Sequence, residues 1–277
     1  MTADTIFEKI REKQSFLCVG LDPDLSAFPD SVLESDDPVY EFNKKIVDAT
    51  HAFSIAYKPN IAFYEALGSG GWWSLEKTIE YIRKTDPGIF LIADAKRGDI
   101  GNTSKKYAKA FFDNFGFDAI TVAPYMGEDS VKPFLDYSGK WTILLALTSN
   151  SGASDFQMTM DEDSGLFLFE KVLKKASAWG NTDNLMFVVG ATQSAMLKRV
   201  RDIVPDSFLL VPGVGTQGGS LSEVSEYGLN DRCGLIVNSS RAIIHADTTD
   251  EFALAARIKA SIIQKEMAAI LKNRNLI

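Results

Sequence analysis

Eight short apolar runs alternate with amphipathic stretches along 277 residues. That alternation predicts an α/β protein, a (β/α)8 barrel of the TIM type folded as a single domain over residues 1–277. Two further observations point the same way. The runs are continuous in Val, Ile and Leu, as parallel strands covered on both faces are. Polar residues gather where the runs end, and barrel enzymes carry their chemistry at that end of the strands.

The runs, in order, are FLCVGLD (16–22), SIAYKPN (54–60), IFLIADAK (89–96), AITVAP (119–124), WTILLALTS (141–149), LMFVVGAT (185–192), FLLVPGVG (208–215) and LIVNSSR (235–241). Between the second and third, residues 72–84 place Trp72, Leu75, Ile79 and Ile82 three and four positions apart, on one face of a helix. Residues 166–179 and 251–272 repeat that pattern, the latter as a long C-terminal helix. No linker, low-complexity tract or internal repeat interrupts the series.

Composition narrows the function. With 45% hydrophobic and 24% charged residues, the chain is an ordinary globular protein and not a disordered or fibrous one. A net charge of −8 without a Lys/Arg run excludes nucleic acid as an expected partner, while leaving room for a small anion. Cys18 and Cys233 are far apart and flanked by apolar residues or glycine, which predicts buried structural thiols in a reducing compartment. The N-terminal segment has no apolar targeting core, and no run of about 18 uncharged apolar residues occurs. A cytoplasmic location and no membrane partner are therefore expected. The glycosylation sequons at 102–104 and 238–240 and the RGD at 97–99 matter only outside the cell and carry no weight.

Asp22, Lys58, Asp94, Lys96, Ser149, Gln217 and Arg241 lie at or just after the ends of six runs, which a barrel would gather at one mouth. On a regular strand Asp94 and Lys96 share a face while Ala95 points away, and Lys58 adds a second cation. A lone Asp-x-Lys is more often a solvated salt bridge closing a strand. Here its neighbours weigh against that. The segment VPGVGTQGGS (211–220) offers glycines and Gln217, and Arg241 ends the eighth run, where barrels commonly grip phosphate. It lacks Gly-Lys-Ser/Thr, which argues against nucleoside triphosphate binding. Asp22, in GLDPD, is balanced between accepting from sugar hydroxyls and closing a turn. His51, in a helical pattern, and His245, in a surface segment, have no partner at ligand spacing and are expected to be structural. No metal is expected, since a metal enzyme would place a carboxylate where Lys58 stands.

Through DAKRGDI (94–100), YKPN (57–60), LTSN (147–150), PGVGTQGG (212–219) and Arg241, the chain resembles the orotidine 5′-monophosphate decarboxylase family over nearly its whole length. DAKRGDIGNT and KPN are similar to the family's longer-chain branch. The resemblance implies cofactor-free decarboxylation of orotidine 5′-monophosphate to UMP in de novo pyrimidine biosynthesis. It assigns Lys96 to stabilise the C6 carbanion and protonate it, with Asp94 against the departing carboxylate. It gives Asp22 and Lys58 the ribose hydroxyls, supported by Asn60, and gives Ser149 the pyrimidine ring, with Ser151 as a competitor. Pro212 would border the base, and Gln217 and Arg241 would hold the 5′-phosphate. Asp99 and Thr103 would reach into a neighbouring subunit's site, making a homodimer. Two rivals remain: a related Mg-dependent keto-sugar phosphate lyase, and a catalytically inactive scaffold barrel.

Overall fold

Eight parallel strands appear where the eight runs predict them: β1 Leu17–Leu21, β2 Ala56–Pro59, β3 Phe90–Arg97, β4 Ala119–Val122, β5 Trp141–Leu147, β6 Leu185–Val189, β7 Leu209–Pro212 and β8 Leu235–Ser239. They follow sequence order around a closed barrel. The computed structural model describes residues 1–214 and 219–277, with side chains throughout these except at 193–195. β1, β2, β4, β6 and β8 are buried along their full length, which is why their sequences show no polar alternation. Several strands are shorter than the apolar runs. The eighth stops at Ser239, so Arg241 opens a short helix, Arg241–Ile244, instead of closing a strand.

The chain divides into two compact units, Glu8–Ala95 with Asn238–Ile277, and Met1–Phe7 with Lys96–Val237. In the first, β1 pairs with β2 from Cys18↔Ala56 to Leu21↔Pro59, and Ala56 is aligned with Phe90 of β3. The helix Pro38–Thr50 starts where Asp37 accepts from the Tyr40 N–H and Pro38 presets the first turn. Its Phe42 stacks between Phe28 (4.1 Å) and Phe252 (4.9 Å), tying it to the C-terminal helix Phe252–Asn273. The expected helix at 72–84 spans Gly68–Thr85 and buries Leu75, Ile79 and Ile82.

In the second unit β4, β5 and β6 run in register from Ala119↔Trp141 and Thr142↔Leu185, with one irregularity between Leu145 and Leu147. The helix Leu168–Ala176 is anchored by buried Glu170, which accepts two N–H bonds from Arg199 (2.7 and 3.0 Å) and one from the Phe167 backbone. A buried carboxylate needs that many donors, and the two-pronged Arg pairing supplies them.

Candidate active site

In the first unit, the C-terminal ends of β1, β2 and β3 carry charge out of an apolar core. Lys58 is buried on β2 and its Nζ donates to Asp94 Oδ2 at 2.6 Å, with side chains only 5% and 11% exposed. Burial alone would lower the Lys58 pKa, but the Asp94 and Asp22 carboxylates outweigh it and raise the value. Lys58 is thus a fixed cation between two anions. Asn60 bridges to Asp94 in the backbone, and its Oδ1 caps the next helix by accepting from the Ala62 N–H. The residue therefore has a structural task beside any contact with a ligand.

Asp22 follows β1. Its Oδ2 accepts from Ser240 Oγ at 2.6 Å, while Oδ1 is buried without a hydrogen-bond partner. Such an unpaired carboxylate oxygen is costly unless something binds it. Gly20 makes the Ser240 contact possible, since a Cβ there would lie 2.7 Å from the Ser240 Cβ. Below, Tyr64 is fully buried and donates to the Leu21 carbonyl (3.3 Å) while accepting from Asn43 (3.0 Å), so the strand end that carries Asp22 is held from beneath.

In the second unit, Lys96 has φ of +46°, in the left-handed region that only glycine enters cheaply. Its N–H donates to Thr121 Oγ1 on β4 at 2.8 Å, which helps hold the conformation. The regular pleat therefore ends at Lys96, and alternation alone does not fix where its side chain points relative to Asp94. Asp99 accepts from the Ile100 N–H through Oδ1, and its carbonyl accepts from Ser104 Oγ. Thr103 is exposed on the helix Gly101–Lys109. Ser149 is half-buried just past β5. Gly190, after β6, leaves it room, because a Cβ there would lie 2.7 Å from Ser149. Ser151 is exposed in a turn and its carbonyl accepts from Ser154 Oγ. Pro212 is half-buried at the end of β7. Gln217 lies outside the described residues.

The structure adds residues that the sequence did not single out: Gly20, Ser240 and Tyr64 around Asp22, Thr121 behind Lys96, and Gly190 beside Ser149. It also shows what His245 packs against. His245 is half-buried and stacks on Phe42 at 5.7 Å, and burial lowers its pKa. Cys18 and Cys233 are buried free thiols, each pushed up to about 12 by burial, which suits a structural role. Arg241 is exposed at the start of its helix.

A closed parallel barrel with a buried Lys–Asp pair at its C-terminal strand ends, and a lysine held in strained backbone on one of those strands, defines the class: a (β/α)8-barrel enzyme. The family model described as orotidine 5′-phosphate decarboxylase / HUMPS matches residues 15–256, and the chain belongs to that family. A Parabacteroides distasonis protein named orotidine 5′-phosphate decarboxylase is 59% identical over all of this chain and 99% of its own length. One from Porphyromonas gingivalis with the same name is 57% identical over the full length of both. Among solved structures, Leishmania donovani OMP decarboxylase superposes with TM-score 0.82 at 34% identity, over 98% of this chain and 99% of that one. Leishmania donovani UMP synthase gives 0.84 at 37% over 96% of this chain, which spans 56% of that longer protein.

Proposed function

We propose that this protein decarboxylates orotidine 5′-monophosphate to UMP, without cofactor or metal, as a cytoplasmic step of pyrimidine synthesis. The observation that carries the reading is the buried Lys58–Asp94 pair, two residues from a strained Lys96, in a chain of this family. The relatives named for that activity, 57–59% identical over nearly their whole length, support it.

In this reading the residues from both units act as one barrel domain. Asp94 faces the substrate carboxylate, and its charge, fixed by Lys58 before binding, disfavours a second anion beside it. The C6–carboxylate bond breaks, CO2 leaves, and the bonding pair stays on C6. The Lys96 ammonium stabilises that pair and transfers its proton to C6, then recovers a proton from water. Preorganised charge of this kind avoids reorganisation in the transition state. Asp22, whose Oδ1 is unpaired, and Lys58 hold the ribose hydroxyls together with Asn60. Ser149, at the strand end, meets the pyrimidine in preference to exposed Ser151, and Pro212 borders it. Gln217 and Arg241 bind the phosphate, whose remote binding energy contributes to the barrier drop, about 1.4 kcal/mol for each tenfold in rate.

The Mg-dependent lyase reading is disfavoured because the Lys58 ammonium already occupies the position beside the Asp94 carboxylate that a metal cation would need. An inert scaffold would have no reason to keep buried charge and backbone strain together. A homodimer in which Asp99 and Thr103 cross to the partner's site is supported by exposed apolar residues that follow two adjacent strands of the series: Ile100 after β3, and Met126 and Tyr125, the latter 93% exposed, after β4. No described helix is long and apolar enough to cross a membrane.

The test is loss of orotidine 5′-monophosphate absorbance on adding purified protein in EDTA. Rapid formation of UMP is expected. Absence of turnover in EDTA, with cleavage of a keto-sugar phosphate once Mg²⁺ is added, would transfer the assignment to the lyase.

A further inference from the structure

The helix Phe252–Asn273 has two apolar faces. One is buried in its own unit through Phe252, Ala256, Ala260, Met267 and Leu271. The other carries Leu254, Ile258 and Ile262, which are 52, 50 and 55% exposed. Four-residue spacing sets these three along one ridge. Scattered apolar side chains on a surface are ordinary, but a ridge of three on one helix is a patch that calls for a partner.

The charges on the same face say which partner. At about 100° per residue, Glu251, Leu254, Ile258, Ile262 and Lys265 fall within an arc of roughly 80°. Ile258 is the centre of that row. Leu254 and Ile262 stand four residues to either side of it, and Glu251 and Lys265 seven. A two-fold axis at Ile258 therefore sets Leu254 on the partner's Ile262, and Glu251 against the partner's Lys265, each contact made twice. The row is its own complement in shape and in charge.

We infer that this face is an isologous interface between two copies of the chain, formed by antiparallel packing of the Phe252–Asn273 helices. The helix is firmly seated to present it: Gln264 donates to the Lys13 and Gln14 carbonyls on the far side (3.2 and 3.3 Å), and Arg257 lies over its own Phe53 ring at 5.6 Å. Arg257 and the partner's Lys259 meet only at the solvated rim, where water and salt screen them. A stable interface buries about 800 Å² per partner, and three half-exposed side chains supply only part of that. Association through this face alone is therefore weak and concentration-dependent. The interface does not require the dimer proposed above. If that dimer forms, the helix face doubles it to a tetramer; if it does not, the helix face makes a dimer from monomers.

Sedimentation velocity of the full chain across the micromolar range tests this. The limiting mass of the wild type should rise with concentration, and Ile258→Asp should halve it, with unchanged circular dichroism and unchanged kcat/KM. Glu251→Lys and Lys265→Glu should each raise the dissociation constant about tenfold, and the double variant should restore it. The absolute masses separate a failure here from a failure of the Asp99/Thr103 dimer. A wild-type mass that does not change with concentration, an Ile258→Asp variant as large as the wild type, or a double variant weaker than either single one would each overturn the inference.

Discussion

Two buried lysine–aspartate pairs stand at opposite ends of the same three strands. At the N-terminal ends, Lys13 meets Asp86 at 2.5 Å, with side chains 9% and 16% exposed. At the C-terminal ends, Lys58 meets Asp94 at 2.6 Å, buried to a similar degree. Their surroundings differ. The Lys13 ammonium also donates to the His51 and Ser54 carbonyls (2.7 and 2.9 Å), so all three of its protons have acceptors. Burial lowers the Lys13 pKa despite Asp86, whereas Lys58 is raised, because a second carboxylate, Asp22, adds to Asp94. The first pair is a closed stitch between loops; the second is an open array with an unpaired carboxylate oxygen on Asp22. Equal distance and burial thus conceal different roles, and the satisfaction of the surrounding polar atoms reveals them.

The sharpest way to break this contrast is to remove one lysine at a time. Lys58→Met is expected to lower kcat/KM about a thousandfold, the usual loss for a preorganised charged contact. Lys13→Met should lower stability by about 3 kcal/mol, as loss of one partner from a buried pair does, while kcat/KM in the folded fraction stays within about threefold. Denaturant titration beside steady-state kinetics separates the two, and an activity loss of equal size in both variants would erase the distinction. Gly20→Ala, which drives a Cβ into Ser240, should cost about 2 kcal/mol and also weaken substrate binding through Asp22. Unchanged KM would remove Asp22 from the site.

The smallest effect is on pH dependence. Burial would raise the Asp86 pKa, but Lys13 outweighs it and the folded value lies below the ordinary one. Its contribution to stability is therefore full above the unfolded value of about 3.9 and is lost as pH falls through the lower folded value. Lys58 gives the mirror image, with stability full below about 10.4 and lost as pH rises through its higher folded value. Asp86→Asn should flatten the acid limb of melting temperature against pH, and an acid limb as steep as the wild type's would contradict the assignment.

The eight strands were legible because burial on both faces leaves continuous Val/Ile/Leu runs, a signal carried by the chain itself. Lys58, Asp94 and Lys96 were legible because charge at the end of such a run is conspicuous. Ser240, Thr121 and Tyr64 were not, since each matters through a neighbour remote in sequence: Asp22, Lys96 and the Leu21 carbonyl. Gly190 looked like an ordinary strand terminator until Ser149 was seen to occupy the space of its missing side chain. His245 had no periodic context to mark it as half-buried, and its stacking on Phe42 shows what covers one face of the ring. The left-handed backbone at Lys96 leaves no trace in residue type, because the residue there is one that strain disfavours.

That strain gives the most direct test of the proposed chemistry. In Lys96→Gly the backbone at φ +46° becomes unstrained, a relief of about 1–3 kcal/mol set against roughly 0.5–1 kcal/mol of added chain entropy in the unfolded state. If Lys96 is held in that conformation for catalysis, the variant will be at least as stable as the wild type and turn over orotidine 5′-monophosphate slower by about a thousandfold or more. A variant that is less stable and still makes UMP at near the wild-type rate would contradict it.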